Sequence, residues 1–118
     1  IVALGSEATA LLGNKQDFAD LVIKSGAESG ERMWQLPIYP EHKEMLKSDV
    51  ADLANVAPSR GAGVIAGAVF LQEFIDPKNS WVHLDIAGTA WLDSEKPYMS
   101  KGATGVGVRT LLKLIEQI

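Results

Sequence analysis

The 118 residues suffice for one ordinary domain or part of a larger one, and 47% hydrophobic against 22% charged residues excludes a disordered segment. A net charge of -4 and a pI near 5.1, without a block of Lys or Arg, argue against binding nucleic acid through its phosphates. No cysteine is present, so disulfides and thiolate metal sites are excluded, which fits a cytoplasmic protein. No apolar run reaches the ~18 residues of a membrane span.

The chain opens on an apolar, strand-like run, Ile1-Val2-Ala3-Leu4-Gly5, with no polar lead-in. Buried strands seldom start at a terminus, so the sequence reads as a fragment cut at this end. Residues 6–13 read as a loop with a short strand at its end. Asn14, with Asp17 three residues on, resembles a capping box, and Phe18, Leu21, Val22 and Ser25 recur at helical spacing. These predict an amphipathic helix over 15–29, with Gly26 and Gly30 as stops. Pro40 suits the first turn of a short polar helix to residue 47, which carries His42.

Residues 49–56 alternate imperfectly and end at Pro58, which predicts a short strand. From 61 to 75 the chain is apolar all round, the mark of a helix buried on every side. After a turn at 76–80, residues 81–91 (Trp-Val-His-Leu-Asp-Ile-Ala-Gly-Thr-Ala-Trp) begin as a strand that looks central to the fold. Val82, Leu84 and Ile86 point one way, Trp81, His83 and Asp85 the other. The strand ends on Ala87 and Gly88, whose small size lets backbone or ligand come close, as at the floor of an α/β site. A polar loop covers 92–101. Thr104 is a plausible cap for a last helix whose Val108, Leu111, Leu112, Ile115 and Ile118 form one stripe. Strands alternating with helices predict an α/β layered fold, in one piece.

Few residues offer chemistry. Gly61-Ala62-Gly63-Val64-Ile65-Ala66-Gly67 fails as a dinucleotide loop because its third glycine comes one residue late. Its free backbone N–H groups, with Arg60 adjacent, could still hold a small anion, which gives an alternative reading as a non-catalytic module with its site at Gly61–Gly63. His83 and Asp85 share a strand face, but a metal site needs three or four ligands, so a supporting hydrogen-bond role fits better. Asp49 and Asp52 have no base or third ligand beside them and read as a solvated edge or helix caps. Trp34, Trp81 and Trp91 read as packing, and no Gly-x-Ser-x-Gly elbow presents a serine nucleophile. By its residues alone the chain offers a pocket wall and no catalytic group.

Residues 81–91, followed by Lys101-Gly102-Ala103-Thr104-Gly105 and the last helix, closely resemble the C-terminal end of the leucyl aminopeptidases, the cytosol-aminopeptidase family of di-metal exopeptidases. Gly30-Glu31-Arg32-Met33-Trp34-Gln35-Leu36-Pro37, the 48–55 segment and Gly61-Ala62-Gly63 fall in the family's order, so the resemblance covers essentially the whole chain. It implies a three-layer αβα sandwich with a mixed sheet, present here as a C-terminal part of the catalytic domain. It implies an intact protein that releases N-terminal residues such as leucine from peptides, as a cytoplasmic hexamer. Two divalent cations (manganese, zinc or magnesium) would activate a bridging water there. The family's Asn-Thr-Asp-Ala-Glu-Gly-Arg motif and catalytic Lys and Arg are absent from these residues, so no catalytic or metal-binding residue and no cofactor is expected in this chain, which alone should be inactive. What carries over is part of the apolar pocket for the substrate's first side chain, at Ala87, Ala90 and Ile1.

Overall fold

The computed structural model describes residues 1–57 and 59–118; Pro58, read above as the stop of a strand, lies outside them. The first regular element is β1 (Thr9–Gly13), and α1 (Gln16–Glu28) crosses from it to β2 (Met33–Gln35). A 3-10 helix (Pro40–Leu46) and α2 (Gly63–Gln72) follow, then β3 (Val82–Asp85). A small hairpin of β4 (Trp91–Leu92) and β5 (Gly102–Ala103) leads to α3 (Val108–Gln117).

The main sheet has the order β2-β1-β3 and is mixed. β1 runs parallel to β2, with Ala10 opposite Trp34, and antiparallel to β3, with Leu11 opposite Leu84. Side-chain alternation along β1 feeds two cores. Leu11 packs with Ala19 and Val22 of α1 and Leu114 of α3. Ala10 and Leu12 pack with Ala68 of α2, flanked by Val64, Ile65 and Trp81. Leu11 and Leu12 are fully buried, worth about 1.5–3 kcal/mol each in transfer free energy. Helices on both sides of a mixed sheet make the three-layer αβα arrangement.

Several local expectations change. The central strand is β1, the short strand expected at the end of residues 6–13, whereas β3, expected to be central, lies at the sheet edge and is only half-buried. Residues 1–5 form a turn, closed by the Gly5 N–H donating to the Ile1 carbonyl at 2.7 Å, instead of a strand. Apolar character alone does not make a strand where no neighbour offers a ladder. Residues 49–56 likewise contain no strand: Val50 and Val56 are exposed, and the Ser48 hydroxyl accepts the Val50 and Ala51 N–H groups to make a turn. The short helix at 40 is 3-10, begun by the Tyr39 N–H donating to His42 Nδ1. α2 is shorter than 61–75 and not buried all round, since Phe74 and Leu71 are exposed.

Asn14 caps no helix; Lys15 is the N-cap of α1. The Asn14 amide instead spans the turn before β3, donating to the Asn79 carbonyl at 2.8 Å and accepting the Trp81 N–H at 2.9 Å. Gly26 does not stop α1 but lies inside it, and Gly30 (φ +74°) follows its end. Thr104 does not cap α3 either: the N-cap is Gly107, at φ +96°. The packed side of α3 carries Thr110 and Leu114, whereas Val108, Leu111, Leu112, Ile115 and Ile118 are between 50% and 77% exposed. The apolar stripe therefore faces away from α1 and the sheet.

Candidate functional site

β3 ends at Asp85 and the chain turns through loop 86–90, which carries Ala87 and Ala90. Its own backbone shapes it. The Asp85 carboxylate accepts the Ala87 N–H at 3.0 Å, and the Ile86 carbonyl accepts the N–H groups of Thr89 (3.0 Å) and Ala90 (2.9 Å). Gly88 is pressed on the N-terminal turn so closely that a Cβ there would lie 2.1 Å from the Gly5 carbonyl oxygen, so only glycine fits. The same contact brings Ile1 to the loop, with its Cγ1 at 3.4 Å from that Cβ position. Ile1, Leu4, Val64, Asp85 and Gly88 share a small cleft. Ala87 and Ile1 are exposed and Ala90 is half-buried.

Threonines tie this loop to the rest of the fold. Thr9, 1% exposed at the start of β1, has its hydroxyl oxygen 2.7 Å from that of Thr89. The Thr104 hydroxyl donates to the Thr89 carbonyl at 2.7 Å and accepts the Val106 N–H at 3.2 Å, while the Thr104 N–H donates to the Ala90 carbonyl at 3.0 Å. Beside this network lies a cavity of about 330 Å³ whose wall includes Thr9, Thr89, Arg32, Lys96, Tyr98 and Arg109.

Glu31 also lines that cavity. It is 7% exposed, and one carboxylate oxygen accepts the N–H groups of Gly107 and Thr110 at 3.1 Å each and the Thr110 hydroxyl at 2.5 Å. The other faces the Arg109 Nε at 3.5 Å. Burial by itself pushes this carboxyl up, but the Thr110 hydroxyl and N–H, the Gly107 N–H and Arg109 together hold it below its ordinary value. A carboxylate at a helix N-terminus is favoured by the free N–H groups and the dipole there. Glu31, not Thr104, is what caps α3.

Of the other sequence candidates, His83 stacks on Trp81, with ring centroids 6.5 Å apart and planes 17° from parallel, and Asp85 is spent on the loop turn. Asp49 and Asp52 are exposed. At Gly61–Gly63, α2 begins at Gly63 with Ala62 in the left-handed region as its N-cap. Among the described residues no three His, Cys, Asp or Glu side chains come together as a metal site. The small-residue end of β3 is legible in the sequence, whereas Thr9, Thr89 and Glu31 have partners about 75–80 residues away that leave no local pattern.

The sequence model of the cytosol aminopeptidase family, catalytic domain, matches residues 1–112. This chain belongs to that family. A probable cytosol aminopeptidase of Geobacter sp. (strain M21) is 53% identical over 117 residues, which are 99% of this chain and 23% of the relative. One from Alkaliphilus oremlandii is 48% identical over 118 residues, with 100% and 23% covered. A solved structure of a mutant tomato leucine aminopeptidase superposes with a TM-score of 0.89 at 39% identity, over 99% of this chain and 22% of that one. The cytosol aminopeptidase of Coxiella burnetii gives a TM-score of 0.89 at 34% identity, covering 98% of this chain and 25% of its own. The chain thus spans about a quarter of the length of the family members it matches. No helix among the described residues is long and apolar enough to cross a membrane.

Proposed function

We propose that these 118 residues are the C-terminal part of a catalytic domain whose full-length protein is a metal-dependent leucyl aminopeptidase, a cytoplasmic hexamer that removes N-terminal residues, leucine foremost, from peptides. The observation that carries this reading is the family match along residues 1–112, joined to relatives called cytosol aminopeptidases over the whole of this chain. Two divalent cations, manganese or zinc, supply the hydrolytic chemistry in this proposal. In this proposal the cations are held outside this chain, because the Asn-Thr-Asp-Ala-Glu-Gly-Arg motif and the catalytic Lys and Arg that the resemblance implies are absent from its 118 residues. Its own contribution is the wall for the substrate's first side chain. The methyl groups of Ala87 and Ala90 and the Ile1 side chain, met across Gly88, suit an apolar group of leucine size.

The test is hydrolysis of leucine amide by the 118-residue chain and by the full-length protein, each with added manganese or zinc and with metal content measured in parallel. The expected result is turnover and stoichiometric metal in the full-length protein and neither in the short chain. Turnover by the short chain at verified mass would overturn the assignment of the chemistry to the remainder. A full-length protein that leaves leucine amide intact would overturn the activity itself.

A further inference from the structure

Resting on that reading and deepening it, we propose that Thr9, Thr89 and Thr104 are positioning residues for the substrate wall: their hydrogen bonds hold loop 86–90 in place and so set which first side chain the enzyme prefers. The wall residues cannot place themselves. Alanine methyl groups make no directional contact, so where they stand follows from the backbone that carries them. The bonds from Ala87 to Asp85 and from Thr89 and Ala90 to Ile86 stay within residues 85–90. They give the loop its shape and, through Asp85 at the end of β3, a single tie to the sheet edge.

Position comes from outside the loop. Thr9 lies at the start of the central strand, fully buried, with a β-branched side chain that is stiff at χ1. Its hydroxyl, 2.7 Å from that of Thr89, fixes the Thr89 end of the loop to the central strand of the sheet. Thr104 holds the same end of the loop twice more, through its hydroxyl to the Thr89 carbonyl and through its N–H to the Ala90 carbonyl. Because the Thr104 hydroxyl also accepts the Val106 N–H, the loop is joined to the segment that enters α3. Valine at position 9 would keep the shape of threonine and leave the Thr89 hydroxyl with only the Ile86 carbonyl, 3.5 Å away. The loop would then lose its side-chain tie to β1 and be held by Thr104 and by the contact of Gly88 with the N-terminal turn.

A shift of the wall by part of a methylene alters the fit of the substrate side chain, and one methylene in an apolar pocket is worth about 10–200-fold in discrimination. The decisive experiment uses the full-length protein with Thr9→Val, Thr104→Val and the corresponding serine variants. It reads kcat and KM on leucine and alanine p-nitroanilides, metal content, and hydrogen exchange of peptides covering 86–90 and β1. For the valine variants we expect KM for the leucine substrate to rise about 3–10-fold, with the leucine-to-alanine preference falling in proportion. Metal content should hold, exchange should rise at 86–90 but not in β1, and the serine variants should restore all of these. Unchanged KM and preference in the valine variants would overturn the proposal, as would equal losses on both substrates together with metal loss, or failure of serine to rescue. If the wild-type protein does not cleave either substrate, the function reading fails separately, and exchange at 86–90 still decides: no increase in the valine variants overturns the positioning role.

Discussion

Replacing Glu31 with glutamine removes the only negative charge that contacts the start of α3 among the described residues, while keeping the side chain's size. One oxygen of Glu31 takes three donors, and hydrogen bonds to a charged partner contribute about 1.5–3 kcal/mol each against roughly 0.5–1.5 for neutral ones. Favourable interaction of the charge with the helix N-terminus adds about 0.3–1 kcal/mol. Burial works the other way, since the neutral amide costs less to desolvate. The three bonds share one acceptor and are not additive, so the net loss for Glu31→Gln should be about 1–2 kcal/mol. Glu31→Ala, which strands the donors, should lose about 3 kcal/mol.

The assay is urea unfolding of the dilute chain followed by far-ultraviolet circular dichroism, comparing midpoints at equal slope. It carries its own pH control. The Glu31 carboxyl is held below its ordinary value of 4.5 in the folded state, so the unfolded chain binds more protons around that pH. The stabilisation is full above 4.5 and drains away as the pH falls from there through the depressed folded value. The gap between wild type and Glu31→Gln should therefore close on acidification through this window. A gap below about 0.3 kcal/mol at neutral pH, or one that stays constant down to pH 3, would refute the capping argument.

Glycine substitutions should divide by surroundings. Gly26→Ala ought to destabilise, because the new Cβ would lie 2.7 Å from the Glu31 carbonyl oxygen, although alanine normally gains about 1 kcal/mol over glycine in a helix. Gly67→Ala in α2, where nothing lies within 4 Å, should show that gain of about 1 kcal/mol in the same urea assay. Gly88→Ala should displace the N-terminal turn at a cost of about 1–3 kcal/mol and raise proteolysis within residues 1–8. The short chain should self-associate in sedimentation velocity through the exposed α3 stripe, and Leu111→Lys with Ile115→Lys should return it to monomer at unchanged helicity. A monodisperse wild-type monomer with a cooperative thermal transition would count against that expectation.

Periodic elements were legible in the sequence where the period was strong. α1 spans Gln16–Glu28 against an expected 15–29, because Phe18, Val22 and their neighbours alternate in register with a buried stripe. Strands were harder, since a strand exists only with a partner: 1–5 and 49–56 have suitable residues and no ladder, while β1, with its small Thr9, Ala10 and Gly13, holds two neighbours. The amphipathic period of α3 was legible, whereas the exposure of its stripe was not, because a helical stripe does not say what covers it. At the candidate site, the Ala87–Gly88 stop of β3 could be read directly. The Thr9–Thr89 pair and the Glu31 cap could not, being separated by 80 and by 76 to 79 residues.

The order in which β1 gains its neighbours bears on how the chain is made. β1, α1 and β2 are contiguous, so this unit closes over a short loop and can form early. The other edge of β1 waits for residues 82–85. At a synthesis rate of about 5–20 residues per second, the stretch between β2 and β3 takes a few seconds to emerge. During that interval the open edge of the future central strand stands unpaired on the ribosome, a docking place for chaperones and the point where nascent chains of this segment would first cling together.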